Sequence, residues 1–183
     1  KVDPRAFDLY LQARHIVDKE KLGQIKEAQT MLDRALEIEP QYLDAILEMG
    51  RVHYRLMRTG AITGEDFENF SYEMITRLEE INPNSIEVLL AKGFTTWQFE
   101  DDLKLAAHYF EQAMAMDPTH LELLRWIVML LTELDRADDA IEIGNYLILN
   151  DPSCDACFGA LINAYRLAGG RHEEAALAVE EFL

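Results

Sequence analysis

Apolar residues along this chain return three and four positions apart. Ile46, Met49, Gly50 and His53 form one such set, and Leu124, Ile127, Val128 and Leu131 form another. That spacing lays each set along one face of an α-helix. No window reads as a strand bounded by turn signals at both ends. The pattern therefore predicts an all-α chain. Four prolines divide it: Glu39-Pro40, Asn82-Pro83, Asp117-Pro118 and Asp151-Pro152. Pro118 and Pro152 lie 34 residues apart, Pro83 and Pro118 lie 35 apart, and Pro40 and Pro83 lie 43 apart. Proline cannot continue a helix in progress but suits a first turn, so each marks where one helix has ended and another begins. A period in the thirties built from helices marks a solenoid of helix pairs.

What repeats is visible on counting back from each proline. Ala113, Phe110 and Ala106 stand five, eight and twelve residues before Pro118, with Gly93 in the preceding helix. The same offsets give Ala35, Leu32 and Ala28 before Pro40, with Ala13 in the glycine's place. They give Leu78, Ile75 and Ser71 before Pro83, with Gly50 upstream, and Leu147, Gly144 and Ala140 before Pro152, with Val128 upstream. Small residues at a helix crossing let the two helices approach closely. A further unit follows Pro152, with Phe158, Leu161, Tyr165 and Ala175, and the chain stops before its closing proline. Thr119-x-x-Glu122 reads as a capping box for the helix after Pro118. Thr63-x-x-Asp66, after the glycines of the Thr59–Glu65 insertion, predicts a turn and a fresh helix start. That insertion is either a tolerated loop extension or a finger over one end of a groove.

This pattern resembles the tetratricopeptide repeat family, over essentially all 183 residues. Leu89 to Pro118 carries the closest match to the family signature, through Gly93, Ala106, Phe110, Ala113 and Pro118. Val128, Leu147, Leu78 and Ile162 are bulkier than the family norm. The resemblance implies a right-handed α-solenoid of antiparallel helix pairs: about five repeats, approximately 5–40, 41–83, 84–118, 119–152 and 153–183, the last incomplete. The chain starts at Lys1-Val2-Asp3-Pro4 without a methionine and ends in mid-repeat, as a piece of a longer protein would. An uncapped solenoid end exposes an apolar face, which suggests a homo-oligomer contact there.

In proteins of this family the first helix of each pair lines a concave groove. On that face lie Tyr10 and Arg14, then Arg51, Tyr54 and Arg55, then Phe94 and Trp97, then Arg125, and finally Asn163 and Arg166. Five of the chain's eleven arginines fall on this minority of positions. The planar fork of arginine suits carboxylates, and its combination with tyrosine, phenylalanine and tryptophan is typical of binding surfaces. Two readings stand side by side. The arginines either pair with acids on neighbouring helices, or they hold an acidic peptide with one or two apolar anchors. The carboxylate clamp of one subfamily needs lysines and asparagines that are absent here, and Asn163 alone does not make it. Small-molecule sensing in the groove is a third reading.

A shorter resemblance runs through Ala6-Phe7-Asp8-Leu9-Tyr10-Leu11-Gln12-Ala13-Arg14 and Asp151-Pro152-Ser153-Cys154-Asp155-Ala156-Cys157. These phrases look like the C-terminal repeat regions of bacterial winged-helix or adenylate-cyclase-type signalling proteins. That resemblance implies a sensor or interaction module for an absent output domain, in the cytoplasm or on the periplasmic side of a bacterial inner membrane. The runner-up is a self-assembly module that oligomerises and positions a fused regulatory or catalytic domain.

Charge and chemistry narrow the field. The net charge of −17, from 34 acidic and 17 basic residues, argues against nucleic-acid binding, which demands a basic footprint. No apolar run reaches membrane-spanning length. Cys154 and Cys157 form a Cys-x-x-Cys at a helix start, open to three readings: unremarkable thiols, a local disulfide, or half a zinc site completed by His120 and His172. His53 stands where the repeat usually has a packing aromatic. No phosphate loop, nucleophile elbow or telling carboxylate pair is present, so neither catalysis nor a cofactor is expected.

Overall fold

A computed structural model describes residues 2–18, 22–150, 155–169 and 171–180. Ten α-helices fill the described residues, and no strand occurs among them. In order they are α1 (Pro4–Asp18), α2 (Ile25–Ile38), α3 (Leu43–Arg58), α4 (Gly64–Ile81), α5 (Ile86–Phe99), α6 (Leu103–Met116), α7 (Leu121–Glu133), α8 (Ala137–Asn150), α9 (Asp155–Leu167) and α10 (His172–Glu180). A 3₁₀ turn, Leu22–Gln24, precedes α2. The chain divides into two compact units, Lys1–Ala91 and Lys92–Leu183, with the boundary inside α5.

In the first unit α1 packs on α2, α2 on α3, and α3 on α4, while the first helices α1 and α3 also touch. The small residues sit at these crossings: Ala13, Ala28, Ala35 and Ala45 are fully buried, around Leu32, Ile46 and Val52. In the second unit α7 packs on α8, α8 on α9, α9 on α10, and the first helices α7 and α9 touch. Phe110 is buried against Gly93, and Leu161 lies against Gly144, where a Cβ would come within 2.8 Å of it. The bulky departures from the repeat pattern find different outcomes. Val128, Leu147 and Leu78 are buried, whereas Ile162 faces outward and its size costs nothing in packing.

In four of the pairs the inner turn uses a residue in the left-handed region: Gly60 after α3, Asp101 after α5, Asp135 after α7 and Gly169 after α9. Glycine takes this conformation freely, and aspartate tolerates it better than most residues. The two helix starts that carry a Thr-x-x-acid pattern are capped differently. Thr63 caps α4 in a full capping box, with its hydroxyl accepting from the Asp66 N–H at 3.0 Å and the Asp66 carboxylate accepting from the Thr63 N–H at 2.9 Å. This bonding holds the Asp66 carboxyl below the usual range. Thr119 does not cap α7. The Asp117 carboxylate takes both the Thr119 N–H and its hydroxyl, so the helix starts one residue later. His120 becomes the cap, its Nδ1 accepting from the Leu123 N–H at 3.3 Å.

The long second pair is also resolved. Its extra residues are not all loop: α4 runs 18 residues against 14 for α6, and α3 runs 16 against 14 for α5. Only the short segment between Thr59 and Thr63 is loop, and Ala61 folds back to bond the Leu56 carbonyl at 2.8 Å.

Candidate functional site

The sequence-predicted residues fall on first helices in both units, and each unit presents its own set. In the first unit, Tyr10 on α1 is 7% exposed and turns its ring edge-on to Tyr42, 5.3 Å away. Its hydroxyl accepts from Arg14 Nη1 at 3.0 Å, so the guanidinium lies along its own helix. Burial, reinforced by Asp44 and Tyr10, pushes the Tyr42 hydroxyl up to about 12. On α3, Arg51 Nη1 stands 3.0 Å from the Glu48 carboxylate, which is only 5% exposed. Tyr54 is half-buried, tilted against Phe67 of α4 at 5.9 Å, with Arg58 over its ring; Arg55 is half-buried one residue on.

In the second unit the aromatic residues converge. Phe94 and Trp97 of α5 both meet Trp126 of α7, at 4.8 Å and 6.3 Å, the two indoles nearly perpendicular. Trp97 Nε1 donates to Glu133 at 2.7 Å. The Arg125 guanidinium lies 4.6 Å above the Trp126 ring and pairs with Glu122, its Nε donating at 3.1 Å. On α9, Arg166 is exposed and donates to Asn163 Oδ1 at 2.9 Å.

Four of these arginine bonds join neighbours along one helix. Tyr10, Glu48, Glu122 and Asn163 each lie three or four residues before their arginine on the same helix. Side chains at that spacing meet without any tertiary requirement, and exposed pairs of this kind contribute roughly 0.2–1 kcal/mol. Glu122–Arg125 is such a pair and can be exchanged for another carboxylate. Glu48–Arg51 is different, because removing Arg51 would strip a buried carboxylate of a partner. Trp126, Glu48, Glu122 and Glu133 were missed by the reading of the first-helix stripe. Trp126 follows Arg125 directly and so sits about 100° round the helix from that stripe; the signal was its rarity, since the chain has two tryptophans.

His53 has a packing role and His120 a capping one. His53 stacks on Phe70 at 3.6 Å, donates through Nδ1 to the Met49 carbonyl at 3.0 Å, and meets Gln29 Nε2 at 3.5 Å. Burial lowers its pKa from the ordinary 6.5, against the raising influence of the Met49 carbonyl, Asp33 of α2 and Glu73 of α4. The folded chain therefore favours neutral His53, and the unfolded chain takes up the proton first as pH falls through 6.5. Stability is full above that value and declines below it. Melting temperatures at pH about 7.5 and about 5.5 should show a smaller decline for His53→Phe, which keeps the stack and loses the proton site. Identical declines would rule this out.

Cys157 is buried. Cys154 lies outside the described residues, so the Cys154–Cys157 pairing stays a proposal. His120 Nδ1 is spent as a cap, and no group of three or more metal-ligating side chains occurs among the described residues. Nor is any helix among them long and apolar enough to cross a membrane.

Residues 100–165 match the tetratricopeptide repeat family. That match spans 66 of the chain's 183 residues. This stretch contains Arg125, Trp126, Asn163 and both within-pair aspartate turns. Solved structures extend the likeness of fold beyond it. PilW, a widely conserved type IV pilus biogenesis factor, is 16% identical with a TM-score of 0.64, covering 99% of this chain and 77% of its own. A thermophilic tetratricopeptide-repeat protein of Thermus thermophilus is 21% identical with a TM-score of 0.61, covering 90% and 80%. YrrB, a tetratricopeptide-repeat protein with an unusual peptide-binding site, is 16% identical with a TM-score of 0.51, covering 97% and 86%. At these identities the likeness shows the fold alone. No curated protein matches the chain significantly. The chain is thus an all-α array of antiparallel helix pairs with the fold of these tetratricopeptide-repeat structures.

Proposed function

We propose that this scaffold binds a protein segment carrying carboxylates and apolar anchors on its first-helix faces, as the interaction or sensor module of a bacterial regulatory protein, without catalysis of its own. The observation that carries the reading is the cluster in the second unit. Trp126 is flanked by Phe94 and Trp97, and it carries Arg125 above its ring with only a half-exposed glutamate paired to it. Arg166 adds a guanidinium whose bond is to a neutral amide. A ligand carboxylate would replace Glu122 on Arg125 at little cost and add charge to the Arg166–Asn163 bond. YrrB, a tetratricopeptide-repeat protein of similar fold with a peptide-binding site, supports the peptide-binding part of this reading.

The test is capture from a bacterial lysate by the native chain and by Arg125→Glu/Arg166→Glu. Arg51 is left intact because reversing its charge beside buried Glu48 is expected to destabilise the fold and so confound a binding test. The expected result is a partner with an acidic segment, weakened by salt and bound at least about ten-fold less well by the variant. Equal capture by both proteins would reject the arginine-based reading. Ile162 and Leu167 of α9, both exposed, favour the self-assembly alternative. Mass that rises with concentration and falls to monomer in Ile162→Asp would establish it.

A further inference from the structure

The outer helices of the second unit carry a feature that the first-helix reading does not use. On α8, Asp138, Glu142, Tyr146 and Leu149 are spaced four, four and three residues apart and therefore share one face. All four are exposed, Tyr146 at 40% and Leu149 at 66%. The core is served by the opposite face, where Ala140, Gly144, Leu147 and Ile148 are buried. The exposed face is thus acidic towards the start of the helix and apolar towards its end.

α10 repeats the arrangement. It too opens with two acids, Glu173 and Glu174, and follows them with Leu177, 63% exposed. Arg171 bonds both Asp138 and Glu174, which ties the starts of the two helices together. Acids in a first turn are explained by the helix dipole. Glu142 lies beyond that turn and has no cationic partner among the described residues. On the corresponding face of α6, Lys104, His108 and Gln112 stand in the places of Asp138, Glu142 and Tyr146, with Glu111 beside them and Met116 exposed at the helix end.

We propose that the exposed face of α8, continued by α10, docks a basic amphipathic helical segment of a partner protein. Its lysines or arginines would meet Asp138 and Glu142, and its apolar residues would cover Tyr146, Leu149 and Leu177. The charge order along α8 sets the direction in which such a segment lies. A second copy of this chain is a poor occupant, since a net charge of −17 brought against the same acids is repulsive. The inference stands apart from the first-helix reading and survives its failure.

The test uses the full chain and two labelled amphipathic peptides of about 14 residues, roughly the length of α8. One is built of leucine and lysine, the other of leucine and glutamate, and binding is read by fluorescence anisotropy at low and high salt. The leucine–lysine peptide should bind and weaken with salt. Leu149→Asp and Glu142→Lys should each weaken it roughly ten-fold, while Met116→Asp on α6 leaves it unchanged. All three positions are exposed, and circular dichroism would verify that each variant is folded. The proposal is overturned if neither peptide binds, if both bind equally, or if Leu149→Asp and Glu142→Lys bind like the native chain. Equal loss in Met116→Asp would also overturn it. So would a dimer that Leu149→Asp dissolves, because the face would then join two copies.

Discussion

Replacing Phe110 by alanine is expected to cost about 3–5 kcal/mol of unfolding free energy, the range for truncating a fully buried aromatic side chain. The ring is 1% exposed and stands against Gly93, where α5 and α6 meet without an intervening Cβ. Alanine would leave a void bounded by helix backbone, which cannot collapse inward as a ring of flexible side chains could. Repeat architectures draw stability from each pair and its immediate neighbours, so the loss should fall on the Lys92–Leu183 unit. Urea unfolding followed by circular dichroism measures it. A loss below about 1 kcal/mol would mean that Phe110 is not the centre of that packing.

Gly93→Ala should destabilise by about 1–3 kcal/mol although alanine is the better helix former by about 1 kcal/mol. The added Cβ would lie 2.5, 2.8 and 3.0 Å from three Phe110 ring atoms, and a packed ring cannot bend away. Gly50 occupies the corresponding place in its own repeat, yet a Cβ there meets the Met74 Sδ at 3.0 Å and Cε at 3.7 Å. A thioether is flexible and can swing aside. Gly50→Ala should therefore be neutral or stabilising by up to about 1 kcal/mol. If the ring is the cause, Phe110→Leu in the Gly93→Ala background should restore part of the loss, giving a coupling that the two single variants do not sum to. Additive effects, or equal signs at Gly50 and Gly93, would refute the steric account.

That contrast shows where sequence reading stops. Both glycines stand at the small-residue position of the repeat, and their roles differ because one faces a ring and the other a methionine tail. The capping signals divide likewise. Thr63-x-x-Asp66 worked because nothing else competes for its hydroxyl. Thr119 failed because Asp117, two residues earlier, takes its hydroxyl and its N–H together. The first-helix stripe contained Phe94 and Trp97, but its strict spacing passed over Trp126, the ring that each of them meets.

The repeat of apolar positions, small residues and prolines determined the all-α class and the order of the helix pairs. Those properties follow from local rules, namely 3.6 residues per turn and proline's missing N–H, which act before any long-range contact forms. The partners of these arginines lie within reach along their own helices, but the burial and surroundings of each pair were decided only in three dimensions. Arg51 is tied to a carboxylate buried by its surroundings, Arg125 lies over a tryptophan that α5 helps enclose, and Arg166 bonds an amide in the open. Burial and ring contacts depend on which helices lie alongside, and a one-dimensional pattern of residue types does not carry that information.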